Sequence, residues 1–143
     1  ILISTHMKML LLFYRLYFQL LFRVSPRYAS RKAFDLFSHP RPQKLRDREK
    51  TALSHSEQED WTLQGQRIRV YKWGNGPRNA VLIHGWEGHA GHFGAIAEKL
   101  ASLGFTVFAM DGPAHGKSEG LQTNIVHFSK TITELLQKVG KVD

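Results

Sequence analysis

The sequence contains no cysteine. Disulfides are therefore excluded, no thiolate can serve a metal site, and the redox compartment stays open. Acidic residues are scarce where basic ones crowd. Residues 1–50 hold eleven Lys/Arg against three Asp/Glu, whereas residues 51–143 hold nine of each. The whole formal charge of +8 thus belongs to the N-terminal third. Such an arm suits an anionic membrane surface or a nucleic acid, and equally a solvated extension. No nucleic-acid-binding module is recognisable, so no nucleic acid partner is expected. Also missing is an unbroken apolar run of the ~20 residues that a spanning helix needs. Arg15 splits the apolar stretch Met7–Val24, and no A-x-A site follows it, which argues against a signal peptide as well. Internal repeats and low-complexity segments are absent.

What is present is ordinary for a globular chain of 143 residues: 42% hydrophobic and 22% charged, enough for one modest domain. Residues 1–6, Ile-Leu-Ile-Ser-Thr-His, precede the first methionine and are expected to be upstream translation or an expression remnant outside the fold. Residues 7–60 read as a basic helical arm and linker. Within Met7–Val24, Lys8, Arg15, Gln19 and Arg23 fall on one stripe of a helix whose remaining surface is Leu, Phe and Tyr. Two readings stay open: a helix lying in a membrane interface, or one packed on the domain or on a partner. Cytoplasmic placement, with peripheral membrane contact through Met7–Val24, is the expectation. Ser25-Pro26 ends this helix or opens the next, Arg27–Ser38. His39-Pro40-Arg41-Pro42 is a linker, and Lys44–Asp60 is a charged, exposed stretch, helical near Arg46–Leu53.

The pattern changes at residue 61. Trp61–Leu63, Gln64-Gly65 and the alternating run to Trp73 predict a β-hairpin. Ala80–Ile83 is a short buried strand, Phe93–Ser102 has helical spacing, and Thr106–Met110 is a β-branched strand. Thr123-Asn124 caps a last helix to about Val139, with Ile125, Phe128, Ile132, Leu135, Leu136 and Val139 on its apolar face. Strand–helix–strand–loop–helix order predicts an α/β domain over 61–143, with a mostly parallel sheet behind an initial antiparallel hairpin.

Chemistry gathers where the third strand stops. Val81–His92 passes from an apolar run into His84-Gly85-Trp86-Glu87-Gly88, a turn that leaves backbone amides facing outward. His84-Gly85-Trp86-Glu87-Gly88 resembles the HGxxG loop of the α/β-hydrolases. Asp111-Gly112-Pro113-Ala114-His115-Gly116-Lys117-Ser118 resembles that family's D-x-P-G-H-G-x-S loop, with Ala114 where glycine is usual. The ordered pair, one helix and one strand apart, is similar to the family over roughly 61–143. The resemblance implies a strand order 1-2-4-3 and a serine hydrolase acting on an ester or an amide, without cofactor or metal. It gives the backbone N–H of Trp86 to an oxyanion hole. There, fixed donors are worth about 3–4 kcal/mol against the charge built during acyl transfer. His84 would orient the loop by hydrogen bonding, and Gly85 and Gly88 would permit its tight backbone. The nucleophile, acid and base follow later in the family, so the chain reads as the N-terminal piece of a hydrolase about twice as long, poorly soluble and inactive alone. The competing reading is a non-catalytic scaffold of the same fold that binds a partner or membrane through the arm.

Three other patterns are weaker. Gly116-Lys117-Ser118-Glu119-Gly120 spells G-x-S-x-G, but a loop rather than a strand leads into it, so Ser118 is expected to bond within its loop. Gly112–Ser118 falls one residue short of a phosphate-binding P-loop. His84, His89 and His92 have no familiar zinc spacing, and surface or loop-stabilising roles are expected of them.

Overall fold

The computed structural model describes residues 5–143, so of residues 1–6 only Thr5 and His6 fall within it. The chain divides into two compact units that meet between Ser38 and His39.

The described part of the first unit is two helices, α1 (Thr5–Val24) and α2 (Pro26–Ser38). Thr5 and His6 are already helical, so α1 begins ahead of Met7. Pro26 interrupts the backbone for a single residue. Ser25 donates to Leu21 O at 2.9 Å and its carbonyl accepts from Ala29 N at 2.9 Å, while Pro26 occupies a first-turn position that needs no N–H. No residue of α1 is buried. Leu10, Leu11, Leu12, Phe13, Leu16 and Leu20 are all exposed.

The second unit is built on a four-stranded sheet in the order β1-β2-β4-β3, as the sequence implied. Its strands are β1 (Glu57–Leu63), β2 (Gln66–Trp73), β3 (Arg78–Ile83) and β4 (Phe105–Met110). β1 pairs antiparallel with β2, β2 antiparallel with β4, and β3 parallel with β4. Gln64 and Gly65, both at positive φ, form the two-residue hairpin turn that matches strand twist. Alternation then sorts the side chains. Tyr71, Trp73, Val107 and Ala109 face a core shared with α3 (Asp47–Ser54) and α4 (Gly94–Ser102). Ile68, Val70 and Met110 face the opposite core, with Phe128 and Leu135 of α5 (Ile125–Val139). β2 and β4 are covered on both faces, which is why β4 reads as apolar at every position but Thr106.

Three expectations need correction. Lys44–Asp60 is exposed along most of its length and helical over 47–54, as expected, but it is part of the domain rather than a stretch ahead of it. α3 buries Glu49, Ala52 and Leu53, and the Trp73 indole donates to Ala52 O at 3.0 Å. The sheet starts at Glu57 rather than Trp61, and the compact unit at His39. A charged segment conceals this because only one short face of α3 turns inward. Second, β3 is half-buried along Asn79–Ile83 rather than buried, because it is an edge strand paired only with β4. Third, α5 is capped by Asn124, whose side chain accepts His127 N–H at 3.0 Å, and Phe128, Ile132, Leu135 and Val139 of the expected face pack into the core, but two of its members do not. Ile125 and Leu136 are exposed, and Thr131 is buried, its hydroxyl returned to His127 O at 3.0 Å.

Candidate active-site loops

β3 and β4 lie in register, Ile83 beside Met110, so the loops that leave them emerge side by side at one edge of the sheet. The first runs from His84 to His89, where a 3₁₀ turn (Ala90–Phe93) leads into α4. The second is 111–124.

Two histidines lock these loops together, each accepting a backbone amide from the opposite loop. Gly112 N donates to His84 Nε2 at 2.8 Å, and Glu87 N donates to His115 Nε2 at 3.1 Å. With Nε2 accepting in both rings, the proton sits on Nδ1. His84 gives it to Gly85 O at 2.7 Å, and His115 gives it to Pro113 O at 2.8 Å. Both rings are buried and packed against Phe128. Burial is the main reason the His84 pKa falls to about 4; the hydrogen bond to Gly85 opposes it and His115 reinforces it. His84 is therefore a neutral imidazole with both ring nitrogens engaged in hydrogen bonds. The partnership with His115 was missed. Each histidine was visible in its motif, but a separation of 31 positions carries no sign of pairing.

Trp86 lies at the turn of the first loop, its indole more than one-third exposed and edge-on to His115 at 5.3 Å. Gly88 closes the turn through its N–H to Gly85 O at 3.0 Å. A side chain there would meet Gly85 O at 3.0 Å and His84 Cβ at 3.1 Å, a tight fit that these neighbours would have to relieve by moving slightly. Gly85 differs from the expectation. Nothing lies within 4 Å of where its Cβ would stand, and its φ is not positive. Crowding does not require glycine at that position. Glu87 takes φ 55°, held there by Arg41 of the Pro40–Pro42 segment through Nε–Oε1 at 2.8 Å and Nη2–Oε2 at 2.9 Å. The Arg41 bonds, against a smaller effect of burial, hold the Glu87 carboxyl below the usual carboxylate range. The expected linker is thus a strap across the first loop. A cleft of about 160 Å³ lies between it and the two loops, lined among others by Arg41, Gly88, Ala114, His115 and Ser118.

The second loop is organised around Asp111, a role the sequence reading did not assign. Its buried carboxylate accepts Ala90 N at 2.8 Å on Oδ1, and Tyr71 OH at 3.0 Å and Lys117 N at 2.9 Å on Oδ2. Burial first, and Asp111 second, push the Tyr71 phenol well above its ordinary range. A Cβ on Gly116, at φ 50°, would run into the Asp111 carboxyl group. Ser118 Oγ donates to Asp111 O and accepts Arg69 N at 2.9 Å. Its hydroxyl is thus committed within the loop, as expected, and it has no histidine partner. The P-loop reading also fails. Lys117 N is spent on Asp111, Ser118 N on His115 O and Glu119 N on Arg67 O, so these amides point into the loop rather than toward an anion. Ala114 adopts φ 60°. The family's glycine suits that left-handed backbone; alanine tolerates it at a cost of about 1–2 kcal/mol. Finally, the structure brings His89 and His92 to Glu49 of α3.

Comparison with known proteins agrees with this architecture. The hydrolase family model described as "Serine aminopeptidase, S33" matches residues 76–143. The monoglyceride lipase homolog of monkeypox virus is 38% identical over 64 residues, covering 44% of this chain and 23% of the viral protein. Rat monoglyceride lipase is 33% identical over 75 residues, covering 52% of this chain and 25% of the lipase. Among solved structures, epoxide hydrolase VrEH1 from Vigna radiata superposes with a TM-score of 0.57 at 22% identity, over 63% of this chain and 31% of that one. Residues 76–143 are thus similar in sequence to that hydrolase family, and the fold is that of part of an α/β-hydrolase domain. The chain spans about a quarter of the length of these curated relatives.

Proposed function

We propose that this chain carries the oxyanion-binding part of a serine hydrolase that cleaves carboxylic esters, an amide being the less favoured substrate. The observation that carries the reading is the reciprocal His84–His115 lock, which fixes the 84–88 loop at the end of β3. An oxyanion hole works because its donors are oriented before charge develops, so they need no reorganisation during reaction. A loop tied at His84, Glu87 and Gly88 meets that requirement. In the proposed reaction a serine beyond residue 143 attacks the ester carbonyl, and a histidine base, held by an acid, takes its proton. The carbonyl oxygen becomes an oxyanion that accepts the Trp86 N–H and a second donor. Collapse expels the alcohol and leaves an acyl-enzyme, which water then hydrolyses. The lipase names of the curated relatives favour an ester over an epoxide, because the epoxide hydrolase likeness rests on fold alone. The full-length protein is expected to turn over p-nitrophenyl butyrate and to be labelled by a fluorophosphonate, whereas the 143-residue chain does neither. A full-length protein that is folded but does neither would make the fold a non-catalytic scaffold.

The arm fits the same reading. No described helix is long and apolar enough to cross a membrane. α1 nevertheless exposes Leu10–Phe13, Leu16 and Leu20 beside a stripe carrying Lys8, Arg15 and Arg23. We assign it to the surface of an anionic bilayer, where burial of that apolar face and attraction of the basic stripe add. The chain should cosediment with vesicles containing phosphatidylserine. Replacing Phe13 and Leu20 with Asp, or deleting residues 1–38, should abolish this. Equal sedimentation of the wild type and both variants would remove the assignment.

A further inference from the structure

The residue that caps the 3₁₀ turn, His89, is a buried histidine whose ring has no hydrogen-bond partner. The His89 side chain is 4% exposed, and neither of its ring nitrogens has a hydrogen-bond partner. A buried imidazole that forgoes both bonds is costly, and such exceptions usually mark a function or a missing ion. The group nearest its Nε2 is Glu49 Oε2 at 3.7 Å, too far for a hydrogen bond. His92 follows three positions later. In a 3₁₀ turn residues i and i+3 eclipse, and the two rings indeed lie with centroids 4.1 Å apart. One ligand-bearing atom from each of Glu49, His89 and His92 falls within 4.8 Å of the others.

We propose that Glu49, His89 and His92 form a site for a late first-row divalent cation, zinc being the natural occupant, with an open position toward solvent. Two imidazoles and one carboxylate suit zinc, and a set with only one oxygen ligand disfavours magnesium and calcium. The contacts around Glu49 support the assignment. Its Oε2 accepts Arg46 N at 2.7 Å, which orients the carboxylate as an outer hydrogen bond orients a metal ligand. Burial alone would raise the Glu49 pKa. The Arg46 N–H and the nearby His89, His92 and Arg46 outweigh it, so the carboxylate is held in its ionised form. Burial first, and His92 next, lower the His89 pKa, which favours the neutral imidazole that binds metal. In a tetrahedral site with ~2.1 Å bonds the ligand atoms sit about 3.4 Å apart, so the triad must draw in. His92 is exposed, so its side chain has space on the solvent side for that movement. A cavity of about 470 Å³ lined by Glu49, His92, His55 and Glu98 adjoins the site and offers room for water or a small ligand in the open position.

The triad uses His89 at the end of the first loop but none of the residues of the His84–His115 lock. His84 is committed to Gly85 and Gly112, and its absence from the triad explains why the spacings 84, 89 and 92 resemble no zinc motif. The third ligand comes from α3, 40 positions upstream of His89. One neighbour works against the metal. The Arg46 guanidinium lies 4.0 Å from Glu49 Oε1, largely exposed.

The test is a titration of the purified, metal-free chain, carrying no histidine tag, with Zn²⁺ against a chromophoric chelator, and with Co²⁺ followed by its visible spectrum. One equivalent of zinc should bind, and cobalt should give the intense absorption of a four-coordinate site. His92→Ala, at an exposed position where folding should be unaffected, should weaken binding at least about tenfold. His89→Ala should abolish binding, and His55→Ala, outside the triad, should leave it unchanged. Arg46→Gln keeps the backbone N–H and removes the opposing charge, so it should tighten binding. Absence of stoichiometric binding by the folded wild type would overturn the proposal. So would an affinity that His92→Ala leaves intact.

Discussion

Trp86→Pro in the full-length protein should lower kcat for an ester by about 10²–10³-fold, the loss recorded when one oxyanion donor is removed. The reason is specific to the backbone. Proline deletes the N–H proposed to meet the tetrahedral oxygen, and its ring stays near the position of the lost side chain. Trp86→Ala makes the opposite change: it keeps the N–H and removes the indole that lies edge-on to His115. If the proposal holds, the alanine variant retains most of its kcat, and any deficit appears in KM. Should indole packing be what matters, the alanine variant suffers and the proline variant is no worse. Binding separates a lost donor from a distorted loop. A trifluoromethyl ketone, which forms a tetrahedral adduct with serine, should lose most of its affinity for the proline variant. The planar substrate should lose little, because an oxyanion donor acts on the transition state more than on the ground state. Melting of the variant alongside the wild type would confirm that the loop remains anchored by His84 and Gly88.

The sequence was most informative where a single physical pattern dominated. The strand order followed from the resemblance, and the position of β4 from an apolar run covered on both faces. The Asn124 cap followed from residue chemistry at a helix start. Readings failed where burial depends on a distant partner. Ala52 and Leu53 sit in a segment dominated by charge, and only Trp73 and α4 make them core residues. The apolar face of α5 was assigned by periodicity, but the sheet covers it unevenly and leaves Ile125 and Leu136 outside. The site divides in the same way. The two loop motifs were legible as strings. The bonds that join them, from Gly112 to His84 and from Glu87 to His115, each span 28 positions and follow from no local rule. Glu49 could not be linked with His89 and His92 for the same reason: the contact exists only because α3 packs on the 3₁₀ turn.

The second large effect is expected at Asp111, where stability rather than chemistry should fail. Asp111→Ala should cost about 3–5 kcal/mol, a large part of the ~5–15 kcal/mol that holds an ordinary domain. The carboxylate satisfies three donors from three parts of the chain: Tyr71 OH on β2, Ala90 N at the 3₁₀ turn and Lys117 N in the second loop. Alanine strands all three and empties the space against which Gly116 is packed. Intermediate variants order the causes. Asp111→Asn keeps one acceptor oxygen but sets an amide NH₂ where Oδ2 had received two donors. Tyr71 can rotate its hydroxyl to accept from that NH₂, whereas Lys117 N–H cannot turn away, so one backbone donor is left unpaired at a cost of about 1–3 kcal/mol. Tyr71→Phe leaves the carboxylate with its two amides and should cost least, about 1 kcal/mol. Urea unfolding should therefore rank the variants Ala, then Asn, then Phe in descending loss. A loss below about 1 kcal/mol for Asp111→Ala would mean that these amides find water as readily as the carboxylate. The consequence reaches the proposed active site, because Asp111 fixes Ala90, just past the first loop, and Lys117, within the second. In Asp111→Asn, the variant able to fold, a fall in kcat larger than that in Tyr71→Phe would show that the carboxylate holds the loops in register as well as holding the domain together.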